Sequence, residues 1–195
     1  MPMSMRTILI ALTLFVSCTS MAQTKVRDLL QTMPDSLAPT LTQNNRLDCI
    51  DFKEAGMKAE VRNALGGKSE LLTLTSDFAD IKLSEGCRMQ LCLLDVSQPV
   101  DSCQQILCVV STYGYDIKES TVQFYSLRWR PLPLSRYVLQ PSLLQSASPV
   151  IAALSPQPAT LTVQPSGYLE RPAIEDQKVI ETFPTNLKWE NDIFK

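Results

Sequence analysis

Prolines constrain the last third of the chain more than any other feature of the sequence. Nine of the thirteen prolines lie between Pro131 and Lys195. Proline lacks a backbone N–H and clashes with the preceding helical turn, so it ends helices and is confined to edge strands. We therefore expect short elements here, namely a strand at 159–163, a helix-compatible segment at 174–183 and a final strand at 186–190.

The N-terminal region predicts two amphipathic helices. The first begins at a capping Thr24, ends at Pro34 and carries a buried stripe of Val26, Leu29, Leu30 and Met33. The second runs from Asn45 to Ala55, with Asn45 as its cap and Gly56 as the left-handed residue after its end. Its predicted buried face consists of Leu47, Cys49, Ile50 and Phe52.

After Met57 the spacing of apolar residues changes from helical toward a period of two, which is typical of strands. Segments 59–65 and 68–75 predict a hairpin whose turn is made by two adjacent glycines, Gly66 and Gly67. Three further strands are predicted at 88–95, 104–113 and 121–129. The sequence therefore predicts an α+β fold in which N-terminal helices pack on a mainly antiparallel β-sheet, followed by a proline-rich C-terminal strand-helix-strand portion.

We expect a single α+β domain over residues 23–195, preceded by a signal peptide at 1–22. Its predicted parts are a helical region at 23–57, antiparallel strands at 58–133 and the proline-rich region at 134–195.

The first residues indicate export. Arg6 is the only charge before Lys25, and the apolar run 7–16 has the length of a signal-peptide core but is too short to span a bilayer. Small residues predict cleavage after Ala22. An alternative interpretation makes Cys18 a lipidated N-terminus within a loose lipobox. We expect an exported protein, periplasmic or at the cell surface, with no transmembrane segment in the mature chain.

Composition excludes several classes of function. Eighteen basic against twenty acidic residues give a formal charge of −2 and a pI near 5.2, so the chain lacks the basic footprint of a nucleic-acid-binding protein. The sequence contains no histidine, the usual general base and the commonest metal ligand. We therefore expect a protein that is not an enzyme, with no catalytic residue, metal or cofactor.

Four of the five cysteines after the signal peptide lie in one predicted hairpin. Cys87 with Cys108 and Cys92 with Cys103 share one antiparallel register, because the residue numbers of both pairs have the same sum. An exported protein can hold disulfides, and Cys92–Cys103 is favoured because it would close the turn on the exposed face. The alternative is that Cys87 and Cys108 are small buried apolar residues. Cys49 is expected to be buried and free.

Aromatic residues on two neighbouring strands are the candidate binding residues. The set comprises Tyr113, Tyr115, Phe124, Tyr125 and Trp129, of which Tyr113, Tyr115, Tyr125 and Trp129 are the predicted binding positions. Such a set can line a groove for a sugar or a peptide, and it can equally be core, because aromatic residues favour strands for packing alone.

Carboxylates spaced three apart offer a second kind of site. Asp48, Asp51 and Glu54 lie on one face of the second predicted helix, and Asp77 and Asp80 follow later. Two such carboxylates can share a cation or act as an acid and base. A solvated helix surface is the simpler interpretation, because Lys53 lies beside them.

Several short runs resemble a known family. In chain order they are 33–37 (MPDSL), 41–46 (LTQNNR), 50–52 (IDF), 55–61 (AGMKAEV), 63–70 (NALGGKSE), 124–132 (FYSLRWRPL) and 187–194 (LKWENDIF). With these runs the chain resembles exported proteins of Bacteroides-type bacteria that are classed as domain of unknown function 3256. The resemblance implies export and one family-wide unit, and it implies no activity, cofactor or catalytic residue.

These features favour a non-enzymatic protein of the cell envelope that binds a protein, a peptide or a glycan. One alternative is a hydrolase or lyase that uses carboxylates such as Asp48 and Asp51. Another is a structural component of an envelope assembly, for which the proline-rich region would be a docking segment.

Overall fold

A computed structural model describes residues 24–145, 149–166 and 185–195. In these ranges the chain forms three layers, with two helices on one face of a seven-stranded sheet and a four-stranded sheet on the other. The elements confirm an α+β chain dominated by antiparallel strands. The predicted signal peptide, Cys18 and the helix-compatible segment 174–183 lie outside the described residues.

Helix α1 spans Val26–Thr32 and helix α2 spans Gln43–Glu54. Their predicted caps are wrong by one to three positions. Lys25, and not Thr24, precedes α1, with its backbone N–H donating to the Asp28 carboxylate at 3.4 Å. Thr42 caps α2, because its hydroxyl accepts the backbone N–H of Asn45 at 3.3 Å.

The seven strands of the larger sheet run antiparallel in chain order. They are β1 (Glu60–Arg62), β2 (Lys68–Leu74), β3 (Phe78–Ser84), β4 (Cys87–Val100), β5 (Cys103–Tyr113), β6 (Glu119–Tyr125) and β7 (Pro131–Leu132). The predicted hairpin is confirmed as β1–β2, and Gly66 takes a positive φ of 80° at its turn. Strand β3 is not predicted, although Ala79, Ile81 and Leu83 alternate with polar residues as a strand requires.

The smaller sheet contains the strands β8 (Val150–Pro156), β9 (Ala159–Pro165), β10 (Thr185–Glu190) and β11 (Ile193–Phe194). Its order is β11-β10-β9-β8, so β8 is an edge strand. The predicted strands at 159–163 and 186–190 are confirmed as β9 and β10. Strand β8 is not predicted, because its small residues lie between Pro149 and Pro156. Single-turn 3-10 helices at Asp35–Leu37, Leu134–Arg136 and Pro141–Leu143 complete the described elements.

Strands β4 and β5 contribute to two hydrophobic cores at once. On the helix side, Met89, Leu91, Leu107 and Val109 pack under Leu29, Leu30 and Ile50. On the other side, Cys92, Leu94, Ile106 and Cys108 pack under Ala152, Leu154 and Leu161 of the smaller sheet. Because both faces of these strands are buried, their sequences lack a clean alternation of apolar and polar residues.

The predicted register of β4 and β5 is wrong. The structure pairs Cys92 with Cys108, Cys87 with Tyr113, and Cys103 with Val100. Neither Cys87–Cys108 nor Cys92–Cys103 faces across the ladder, and all five described cysteines are free thiols. The difference arises at the end of the hairpin, where the register shifts between Asp95 and Val100 and the turn falls at Asp101 and Ser102, with φ of 52° and 68°.

Candidate binding groove

The outer edge of β6 has no neighbouring strand over most of its length. All of β6 pairs with β5, whereas β7 pairs only with Phe124 and Tyr125. The Ser126 N–H donates to the Arg130 carbonyl at 2.9 Å across this hairpin. Because alternate residues of a strand point their backbone groups to the same side, Val122 and Ser120 direct theirs toward this open edge.

Strand β7 stops after two residues. Pro131 and Pro133 flank Leu132, and a 3-10 turn at Leu134–Arg136 then carries the chain away from β6. Arg130 and Leu132 face β6, so the backbone groups of Pro131 and Pro133 face the outer side of β7, and the pairing ends where the 3-10 turn begins. No described residue takes the place of the missing strand, and the N–H and C=O groups of Val122 and Ser120 have no backbone partner there.

A groove of about 360 Å³ follows this edge. Its walls are β6, β7 and the side chains of Leu134, Leu144 and Gln145. The Val122 side chain is buried against the smaller sheet, whereas Thr121 and Gln123 are exposed on the helix side. The groove therefore combines a row of free backbone groups with an apolar wall.

The structure separates the aromatic residues that the sequence groups together. Tyr125 lines the groove and packs against Trp129, with 5.6 Å between ring centroids. Tyr113 lies on the same face of the sheet and is 44% exposed. Tyr115 lies at the far end of β5, where its ring covers Gly86, and Phe124 is buried in the opposite core.

Trp129 is held in an unusual backbone conformation. Its φ of 60° is left-handed, a region that bulky residues rarely adopt. The Trp129 N–H donates to the Ser126 carbonyl at 2.9 Å, which makes Trp129 the last residue of the β6–β7 turn. Its indole Nε1 is buried and has no partner among the described residues. The ring thus covers Tyr125 on the helix side of the sheet.

The acidic candidates do not converge on one site. Asp48, Asp51 and Glu54 are exposed on α2, and Glu54 pairs with Arg27 at 3.1 Å. Asp77 accepts a hydrogen bond from Thr75, and Asp80 pairs with Arg88. Within the described ranges, no three acidic or cysteine side chains gather closely enough to hold a metal ion.

Burial lowers the reactivity of four of the free cysteine thiols. Burial raises the pKa of Cys92 to about 12 and that of Cys108 well above its ordinary value. Burial also raises the pKa of Cys49, to about 11, and that of Cys87. A nucleophilic cysteine needs a lowered pKa, so these four residues have the character of packing groups.

The free edge of β6 is the feature that the sequence prediction missed. In the sequence, Pro131 and Pro133 end the predicted strand at 121–129. In the structure that strand stops at Tyr125, and Pro131 belongs to a separate two-residue strand, β7, which was not predicted and which covers only the end of β6.

A family model described as "Protein of unknown function (DUF3256)" matches residues 17–190. The fold is also similar to a solved structure described as a domain of an uncharacterized protein from Porphyromonas gingivalis W83. The two align with a TM-score of 0.65 and 21% sequence identity, over 87% of this chain and 96% of that chain. No curated protein matches the sequence. None of the described helices is long and apolar enough to cross a membrane.

Proposed function

The chain belongs to the DUF3256 family of unknown function, and we propose that it is an exported, non-enzymatic protein that binds an extended polypeptide segment along β6. The single observation that carries the proposal is the unpaired edge at Val122 and Ser120 beside a groove of about 360 Å³. Addition of a strand to a free sheet edge is a common mode of peptide recognition. Export is supported by the apolar run 7–16, which has the pattern of a signal peptide.

The two faces of the groove define the peptide that fits. Side chains directly opposite one another in a ladder lie on the same face of the sheet. Bound residues opposite Val122 and Ser120 therefore point toward the wall formed by Leu134 and Leu144. The bound residue between them points to the exposed face, beside Thr121. The preferred segment is apolar, polar, apolar in an extended conformation.

The test uses the mature chain and short synthetic peptides. One set places an apolar-polar-apolar core between polar flanks, and a second set has the same composition with the apolar residues adjacent. We expect the first set to bind more tightly in fluorescence anisotropy and to slow hydrogen exchange at the amides of Val122 and Ser120.

Val122→Pro provides a matched variant, because it removes an outward N–H that the β5–β6 ladder does not use. Val122→Thr also replaces the valine side chain and keeps that N–H, so it serves as its control. One net hydrogen bond of about 1 kcal/mol predicts at least a fivefold weaker affinity for Val122→Pro than for Val122→Thr. If Val122→Pro does not fold, Leu144→Asp tests the apolar wall instead. Equal affinity of the folded variants and the wild type would refute strand addition.

A further inference from the structure

A second cavity of about 360 Å³ lies between the two sheets, away from the β6 groove. We call it the intersheet cleft. Its floor consists of side chains from the larger sheet, including Lys82, Arg88 and Gln90, and its opposite wall is the edge strand β8 at 151–153. A volume of this size suits a small ligand.

Gln90 is oriented so that its donor group remains available. Its Oε1 accepts the backbone N–H of Leu154 at 2.9 Å, which fixes the amide against β8. The side chain is only 8% exposed, and its NH₂ group makes no hydrogen bond to a described residue. The NH₂ nitrogen is not enclosed, so water or a ligand in the cleft can accept its hydrogen bonds.

The acidic groups around the cleft already have partners, whereas one basic group does not. The Glu85 carboxylate accepts a hydrogen bond from Lys82 at 2.7 Å. Both oxygens of Asp80 accept hydrogen bonds from Nε and Nη2 of Arg88. Lys118 also lines the cleft, and its ammonium has no hydrogen bond or ion pair with a described residue.

The edge of β8 adds a backbone donor. Ser166 N–H donates to the Pro149 carbonyl at 3.0 Å, which places the backbone groups of residue 149 toward β9. The groups of Ala152 therefore point away from β9, as those of Leu154 do. The Ala152 carbonyl accepts the Ser120 hydroxyl at 3.4 Å, and its N–H has no partner among the described residues.

We propose that the intersheet cleft binds a small carboxylate. The free groups are donors, namely the Gln90 NH₂, the Ala152 N–H and the Lys118 ammonium, whereas the carboxylates beside them are neutralised by Lys82 and Arg88. A carboxylate offers two acceptor oxygens and one negative charge, which matches such a set. The carboxylate can belong to a free organic acid or to the C-terminus of a peptide.

The test titrates the mature chain with succinate, with trialanine and with trialanine amidated at its C-terminus. We expect the side-chain NH₂ signals of Gln90 and the amide signal of Ala152 to shift in heteronuclear NMR spectra. Shifts with succinate alone identify a free acid. Shifts with trialanine, but not with its amide, identify a peptide terminus. Either pattern supports the proposal, and shifts that are equal for trialanine and its amide refute it.

Two variants test the named donors. Gln90→Glu keeps the oxygen that accepts from Leu154 and removes the NH₂, so it retains the contact between the sheets. Lys118→Met removes the free charge, and Lys188→Met, on the exposed side of β10, makes the same charge change away from the cleft. We expect about tenfold weaker binding for Gln90→Glu and Lys118→Met, and no change for Lys188→Met. Unchanged affinity in both cleft variants overturns the assignment without affecting the β6 groove.

Discussion

Replacing Arg46 with methionine tests how the helix layer is held together. Arg46 lies on α2 and is 3% exposed, and its guanidinium reaches three acceptors. Nη1 donates to the Leu41 carbonyl at 2.7 Å and to the Asp35 carboxylate at 3.0 Å, and Nη2 donates to the Met33 carbonyl at 2.7 Å. One side chain thus joins α2 to the end of α1 and to the loop between the helices.

The expected loss of unfolding free energy follows from the two carbonyls that methionine leaves without a donor. Methionine fills most of the aliphatic volume, but the carbonyls of Met33 and Leu41 lose their donor in a buried place. Each unsatisfied group costs about 1–3 kcal/mol. The variant also relieves the desolvation of a guanidinium whose Nε is buried without a partner among the described residues. We expect Arg46→Met to lower the free energy of unfolding by about 2–4 kcal/mol.

The Asp35 side chain is 73% exposed, so the ion pair itself contributes little. Asp35→Asn is therefore the control, with an expected loss below about 1 kcal/mol. Both values come from urea unfolding of the mature chain followed by far-UV circular dichroism, with equal m-values. A loss of less than about 1 kcal/mol for Arg46→Met, or equal losses for the two variants, would refute the reasoning.

Two further predictions concern ionisation. Hydrogen bonds from Lys58 and Lys68 lower the pKa of Glu60 from 4.5 to about 2, so this carboxylate stabilises the fold fully above pH 4.5 and loses its effect as the pH falls toward 2. The difference in unfolding free energy between wild type and Glu60→Gln should therefore shrink over that interval, and a constant difference from pH 7 to pH 2 would contradict it. The second prediction concerns the buried thiols of Cys92 and Cys108. At pH 8, iodoacetamide should alkylate these two cysteines only after urea is added, as measured by peptide mass spectrometry. Alkylation of the native protein at the rate of the denatured protein would show that burial does not protect them.

The two helices could be predicted from the sequence because apolar spacing and the residues after each helix are local signals. The buried face of α2 shows the limit of that approach. The sequence places Leu47 inside, whereas the structure buries Arg46 and leaves Leu47 half-buried. A hydrophobicity pattern contains no information on hydrogen-bond acceptors, and here residues 33, 35 and 41 supply three acceptors to the buried guanidinium.

The register of β4 and β5 could not be predicted for a different reason. An apolar face normally selects one register, because a shift by one residue turns the buried side chains outward. Both faces of this pair are buried, so shifted registers satisfy the pattern equally well. The turn also lacks a glycine signal, since Asp101 and Ser102 themselves take the positive φ values. The spacing of four cysteines was therefore a coincidence that the apolar pattern could not expose.

The groove and the intersheet cleft also depend on contacts that no local sequence signal predicts. The predicted strand at 121–129 is wrong at its end, because β6 stops at Tyr125 and the turn to β7 brings Trp129 back onto the Tyr125 ring. Tyr113 and Tyr115 separate because the chain leaves β5 between them, at Gly114. The intersheet cleft depends on Gln90 meeting Leu154, which is far away in sequence, and no local signal announces that contact.

The double burial of β4 and β5 has a consequence for how the molecule comes apart. The helices and the smaller sheet pack on opposite faces of the same two strands, so neither layer has a core that is independent of β4 and β5. Loss of either outer layer would expose a row of leucine, isoleucine and valine side chains of β4 and β5 to solvent. It would also weaken the packing of the remaining layer. The three layers should therefore unfold in one cooperative transition, because β4 and β5 contribute side chains to both cores.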